Sequence, residues 1–133
     1  MSHQLDEITE KIGLFHVAHK LSVMHWNVLL ASRSAFGLDM IVYSTTAKRK
    51  HSIEVKTLSG RNDVPPQSSK RERLWDFLVI CDLETERVEC SYVLKKDDYD
   101  AGLHRYGNGT IAVQRKYFTQ FKDRWDKIGD GTD

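Results

Sequence analysis

Three charged residues carry the strongest chemical signal in this chain: Asp39, Glu54 and Lys56. They fall in two stretches, Gly37 to Ser44 and His51 to Thr57, that are rich in β-branched and apolar residues and read as strands. Glu54 and Lys56 are two positions apart, so an extended chain projects both from one face. Charge among apolar strand residues is costly unless something pairs with it or uses it. Two neighbouring carboxylates repel one another, and a hard divalent cation removes that repulsion. Mg²⁺ takes carboxylate and carbonyl oxygens with water, leaving positions for phosphate oxygens. Such a cation polarises a phosphoryl group and acidifies a bound water, and a lysine beside it stabilises charge that develops on the phosphate. The chemistry is hydrolysis of phosphodiesters. The same residues also permit a structural reading, in which Lys56 bridges the two acids without a metal.

Strand register decides whether the three meet. The connection over 45–50 predicts cross-strand pairs whose numbers sum to about 95, with Asp39 opposite Lys56 and Ile41 opposite Glu54. Any odd sum keeps the three charges together. An even sum turns Asp39 to the other face.

The elements that must hold this hairpin follow from periodicity. Residues 4–22 read as a helix, with Leu5, Ile8, Ile12, Phe15 and Ala18 on one stripe and Leu14, Val17 and Leu21 on a second. Trp26 to Leu30 is a short strand. Ser59 to Arg73 contains Gly60, Asn62, Pro65, Pro66 and Ser68-Ser69, and reads as a long loop. Leu74 to Leu83 is an apolar central strand, and Val88 to Lys95 returns. Asp97 to His104 forms a short helix capped by Asp97 or Asp98, Thr110 to Val113 a strand, and Tyr117 to Ile128 a final amphipathic helix. The tail from Gly129 is expected to fray. The fold class is α/β (an α+β mixed sheet with helices against it), in a single domain over 1–133.

The chain of 133 residues is long enough for one core, and its 40% hydrophobic and 29% charged residues are an ordinary globular mixture. No run approaches a membrane span and no signal peptide is recognisable, so a cytoplasmic location is expected. Cys81 and Cys90 lie in predicted strands without metal-ligand spacing and read as buried thiols. The net charge of +1 is unevenly spread: residues 48–73 carry +5, residues 1–47 carry −1 and residues 74–133 carry −3. A polyanion would be steered to the first of these regions. Lys48, Arg49, Lys50, Lys70, Arg71 and Arg73 are the candidate nucleic-acid contacts there, with Trp75 beside them for base stacking.

Gly37-Leu38-Asp39 followed by Ile53-Glu54-Val55-Lys56-Thr57 resembles the signature of the PD-(D/E)XK nuclease superfamily, which has the restriction-endonuclease-like fold. The order of elements is similar: helix, three-strand meander, further strands and a C-terminal helix. Phe15 to Leu21 looks like the first helix of small members related to Holliday junction resolvases. The resemblance covers residues 5 to 95 and implies a Mg²⁺-dependent DNA endonuclease, with Mn²⁺ able to substitute. It implies that Asp39, Glu54 and the Val55 carbonyl bind the metal and that Lys56 is the catalytic lysine. Leu38 stands where the motif's proline belongs. Leu14 stands where many members carry a metal-facing glutamate; Glu10, one turn earlier, is the candidate replacement, with Glu7 beyond it. By the same resemblance the partner is DNA, branched or damaged forms included, and a homodimer is expected. The alternative is a nuclease-like module that binds nucleic acid or protein without cutting.

His16, His19 and His25 give a conceivable zinc spacing but lack a fourth ligand. Trp26, Trp75 and Trp125 read as core anchors.

Overall fold

The computed structural model describes residues 3–31, 38–65 and 74–133, with side chains from residue 7 onward. The elements are helix α1 (His3–Val23), strands β1 (Asn27–Leu30), β2 (Met40–Tyr43), β3 (Lys50–Leu58), β4 (Phe77–Glu84) and β5 (Arg87–Lys95), helix α2 (Lys96–Ala101), strands β6 (Leu103–Arg105) and β7 (Ile111–Val113), and helix α3 (Arg115–Phe118). Two 3₁₀ turns follow at Thr119–Phe121 and Trp125–Lys127.

Strands β1 to β5 form one mixed sheet in sequence order. All neighbours are antiparallel except β3 and β4, which run parallel. Parallel neighbours require a crossover, and the long segment between Leu58 and Phe77 supplies it. Strand β4 is buried on both faces, as its unbroken apolar run requires.

The alternation along the strands divides the core in two. Met40, Val42, Ile53, Phe77, Val79 and Cys81 face α1, where Val17 and Leu21 meet them. Leu58, Leu78, Ile80, Tyr92 and Leu94 face the other way, against Tyr99, Val113 and Phe118 of the C-terminal layer. Helix α1 ends in a Schellman arrangement. His25 stands in the left-handed region with φ 73°, the Trp26 amide donates to the Leu21 carbonyl, and the His25 amide donates to that of Ser22.

Several sequence expectations need correction. In α1 the stripe against the sheet is Gly13, Val17 and Leu21, flanked by Leu14 and Ala18; Ile8 and Phe15 of the first predicted stripe are exposed. Gly13 allows this closeness, because a Cβ there would stand 1.9 Å from the Thr57 hydroxyl oxygen. Helix α2 is capped at Lys95, with Asp98 accepting the Lys95 amide at 2.9 Å, rather than by Asp97 or Asp98 in the cap position. Strand β6 appears within the predicted short helix.

The predicted helix over 117–128 breaks into α3 and two 3₁₀ turns. Asp123, at φ 54°, turns the chain, and its amide donates to the Ser91 carbonyl. The segment thereby covers the β5 edge and carries Trp125 and Ile128 round to the α1 side. The tail does not fray. Gly131 exchanges backbone bonds with Met24 and Thr45, and the Asp133 carboxylate accepts from Thr46 N at 2.9 Å and from the Ser44 hydroxyl.

Candidate functional site

The register between β2 and β3 pairs Met40 with Ile53 and Tyr43 with Lys50. The sum is odd, as the convergence of the three charges requires, but two lower than expected. The ladder ends at Met40 and Ile53, so Asp39 lies just beyond the last strand pair rather than opposite Lys56. Its amide still donates to the Ile53 carbonyl at 3.0 Å.

At this point β2 leaves the sheet. The Val55 amide points to that vacated side, and the Asp39 carboxylate replaces the missing strand by accepting its hydrogen at 2.6 Å. A residue's N–H and C=O point to the same neighbour in a strand, so the Val55 carbonyl faces the same gap. Glu54 and Lys56 flank Val55 on the sheet face opposite α1. The parallel ladder to β4 holds them there, with Glu54 beside Leu78 and Lys56 beside Ile80.

Helix α1 completes the corner. The Thr57 hydroxyl stands 3.5 Å from the Glu10 carbonyl, and the Glu10 side chain acts on Asp39. Burial pushes the Asp39 carboxyl above the usual carboxylate range. The Val55 hydrogen bond opposes that shift, the negative charge of Glu10 adds to it, and Lys56 opposes it. Leu14 packs against the core on the α1 side. Glu10, not Leu14, is thus the α1 residue that acts on Asp39.

An open groove of about 470 Å³ begins at Lys56. Ser59, Asn62, Asp63 and Pro65 line it together with Ala112 of β7. Sequence reading missed Ala112, because only the tertiary bridge between Val64 and Val113 brings the hairpin β6–β7 to the crossover. Asp63 locks the corner by accepting from the Arg115 amide at 2.9 Å and from the Tyr106 hydroxyl. Behind it, Arg115 makes a two-pronged pair with Asp82, each bond 2.8 Å, and the Tyr92 hydroxyl donates to the same carboxylate at 2.9 Å. No local sequence signal links Arg115 to Asp82, which lie 33 positions apart.

The basic residues are distributed differently from the sequence expectation. Lys48, Arg49 and Lys50 stand at the opposite end of β3, roughly 20 Å along the strand from Lys56. Arg49 is committed to the C-terminus. It donates to the carbonyls of Asp130 at 3.0 Å and Thr132 at 2.9 Å, and its guanidinium covers the Trp26 ring. These contacts give Arg49 a structural role at the C-terminus. Lys70, Arg71 and Arg73 lie outside the described residues.

Trp26, Trp75 and Trp125 are all buried. Burial removes Trp75 from base stacking. Thr57 faces α1, away from Glu54, as the alternation predicts. Cys81 is buried and its thiol is pushed up to about 12, while Cys90 is half-buried. Among the described residues no three His, Cys, Asp or Glu side chains gather as a ready metal cluster, so the zinc spacing of His16, His19 and His25 has no structural counterpart. No described helix is long and apolar enough to cross a membrane.

No protein-family profile and no curated protein matches the chain. Among solved structures, a bacterial homing endonuclease is similar, with a TM-score of 0.62 and 18% sequence identity over 96% of this chain and 93% of that one. At that identity the likeness is one of fold: this chain shares the mixed α+β architecture of that endonuclease across almost its whole length.

Proposed function

We propose that the protein is a Mg²⁺-dependent DNA endonuclease of the PD-(D/E)XK type. The observation that carries the reading is the hydrogen bond from the Val55 amide to the Asp39 carboxylate, which brings Asp39 to the Glu54-Val55-Lys56 stretch where β2 leaves β3. The whole-chain likeness to a bacterial homing endonuclease supports it, and so does the motif order along the sequence.

The donors at the gap fit a hard divalent cation. They are carboxylate and carbonyl oxygens, and Mg²⁺ is commonly held by one or two carboxylates with water and substrate phosphate rather than by a full protein cage. The Asp39 carboxyl is raised first by burial and then by the negative charge of Glu10, both of which a bound cation would offset. Asp39, Glu54 and the Val55 carbonyl would hold the ion, with Glu10 near enough to add charge. When bound, the ion supplies Lewis-acid polarisation of the phosphoryl group and a more acidic water.

The chain's own residues do the rest. The Val55 amide fixes the Asp39 carboxylate in one orientation. Lys56 stands at the mouth of the groove, where its ammonium orients the attacking water and offsets charge growing on the phosphate oxygens. The groove from Lys56 to Ala112 gives the nucleic-acid backbone a path away from the gap. The second reading, a module that binds DNA without cutting it, is favoured only by the lack of a three-carboxylate cluster among the described residues.

Supercoiled, branched and single-stranded DNA incubated with the protein and Mg²⁺ or Mn²⁺ separates the two. Metal-dependent cutting that Lys56→Ala and Asp39→Ala abolish supports the enzyme. Binding without cutting, unchanged in both variants, supports the module.

A further inference from the structure

The groove that begins at Lys56 is not uniformly basic. Among the described residues that line it, Lys56 is the cation and Asp63 the acid; Leu58, Pro65 and Ala112 supply apolar lining and Asn62 an amide. The Asp63 carboxylate is held by both oxygens. Its Oδ1 accepts the Arg115 amide at 2.9 Å, and its Oδ2 accepts the Tyr106 hydroxyl. These bonds, the Tyr106 bond first, hold the carboxyl below its usual range, so it is ionised at neutral pH. A run of phosphates along the whole groove would meet that negative charge. The occupant beyond Lys56 is therefore neutral, apolar on its faces and equipped with N–H donors at its edge. A nucleobase has those properties, and a volume of about 470 Å³ accommodates one.

The carboxylate also selects among bases. Each of its oxygens accepts one bond within the protein and keeps a second lone pair. Two parallel acceptors match two adjacent donors. Guanine has adjacent donors, N1–H and N2–H, on its Watson–Crick edge. Adenine and cytosine set a ring-nitrogen acceptor beside the amino group, and thymine sets a carbonyl on each side of its single N–H. In a duplex guanine gives both donors to cytosine, so only an unpaired or extruded guanine offers them. Resting on the endonuclease reading, which puts a DNA phosphate at Lys56, we propose that the groove takes an unpaired guanine of the same strand and holds its Watson–Crick edge on Asp63. Asp63 is then a specificity-determining residue. The substrate class is DNA with an unpaired guanine next to the phosphate that Lys56 meets, in a bulge, a mismatch or a single-stranded branch.

Fluorescence anisotropy of the full chain, in EDTA and in Ca²⁺, tests this with labelled DNA duplexes that carry one bulged G, A, C or T. The parent protein is expected to bind bulged G about tenfold more tightly than the other three, the worth of one bidentate base contact. Asp63→Asn turns one acceptor into a donor, and the Arg115 amide and the Tyr106 hydroxyl can still bond to the carboxamide. The G preference should vanish and A should gain, because its amino group and ring nitrogen match a carboxamide. The preference is a ratio within one preparation, so a partly unfolded variant does not mimic the change. Equal affinity for the four bulges, or a G preference unchanged in Asp63→Asn, overturns the inference and leaves the endonuclease reading standing. A G preference that Asp63→Asn removes, without cleavage in Mg²⁺, sustains the inference and ends the endonuclease reading. Binding of 5′-GMP tighter than that of bulged G assigns the groove to a free nucleotide and overturns the inference. No binding of any duplex in either condition overturns both.

Discussion

The Asp39 carboxylate accepts the Val55 amide hydrogen at 2.6 Å, in the place a strand carbonyl would occupy had β2 run one pair further. One side chain thereby closes the ladder and stands among the groups proposed to hold the ion. The two roles can be separated. Asp39→Asn keeps an acceptor for Val55 and removes the charge; Asp39→Ala removes both. Both variants should lose at least about a hundredfold in DNA cleavage. Only Asp39→Ala should also lose about 1–2 kcal/mol of stability, from the unsatisfied amide. Urea melts beside cleavage rates check this.

The acid–base behaviour of Asp39 gives a second expectation. Its carboxyl is raised in the folded state, first by burial and then by Glu10. The folded protein therefore holds this proton more tightly than the unfolded chain does. Between the ordinary carboxylate value and the raised one, this group makes stability fall as pH rises, and above the raised value the penalty is constant. Asp39→Asn should flatten that part of the curve. Mg²⁺ should recover stability at neutral pH in the parent protein and not in Asp39→Asn. Thermal melts against pH, with and without Mg²⁺, read both effects.

Contact between α1 and β3 sets the height of Glu10 over the gap. A Cβ at Gly13 would meet the Thr57 hydroxyl oxygen at 1.9 Å and the Thr57 Cβ at 3.0 Å. Alanine normally improves a helix interior by about 1 kcal/mol over glycine. Here Gly13→Ala should instead destabilise by about 1–2 kcal/mol, because the helix must lift or Thr57 must turn. In a Thr57→Ala background the penalty should shrink, a coupling that a double-mutant cycle measures directly.

Arg115, whose amide donates to the groove residue Asp63, pairs with Asp82, and the two side chains are 18% and 7% exposed. Burial alone would push the Asp82 carboxyl up; the Arg115 bonds and the Tyr92 hydroxyl outweigh it and hold the group below its usual range. Stability from this pair is therefore full at neutral pH and is lost as pH falls through the lowered value. Arg115→Ala leaves the buried Asp82 charge with the Tyr92 hydroxyl but no cation and should cost about 3 kcal/mol. Adding Asp82→Asn should return part of it. Chemical denaturation of the single and double variants is the measurement.

Local pattern was enough to place most elements and to single out the candidate residues. The strands around Asp39, Glu54 and Lys56 are legible because β-branched alternation is a property of adjacent residues. The odd register follows from the parity of a short connection. The long helix is equally legible, but which of its apolar stripes faces inward is not. Both stripes satisfy helical periodicity, and only packing against the sheet, with its close approach at Gly13, shows Val17 and Leu21 inward rather than Ile8 and Phe15.

The C-terminal segment reads as one helix for the same reason. Phe118, Phe121, Trp125 and Ile128 repeat helically, yet half of that set belongs to each side of the sheet, and the turn at Asp123 exists because Ser91 on the β5 edge takes its amide. By itself the sequence determined strand positions, charge placement and the motif. Tertiary structure alone decided that Glu10 acts on Asp39, that Arg49 serves the C-terminus, and that a groove leads away from Lys56. These depend on contacts between residues far apart in the chain, whose closeness is set by packing rather than by any neighbour's identity.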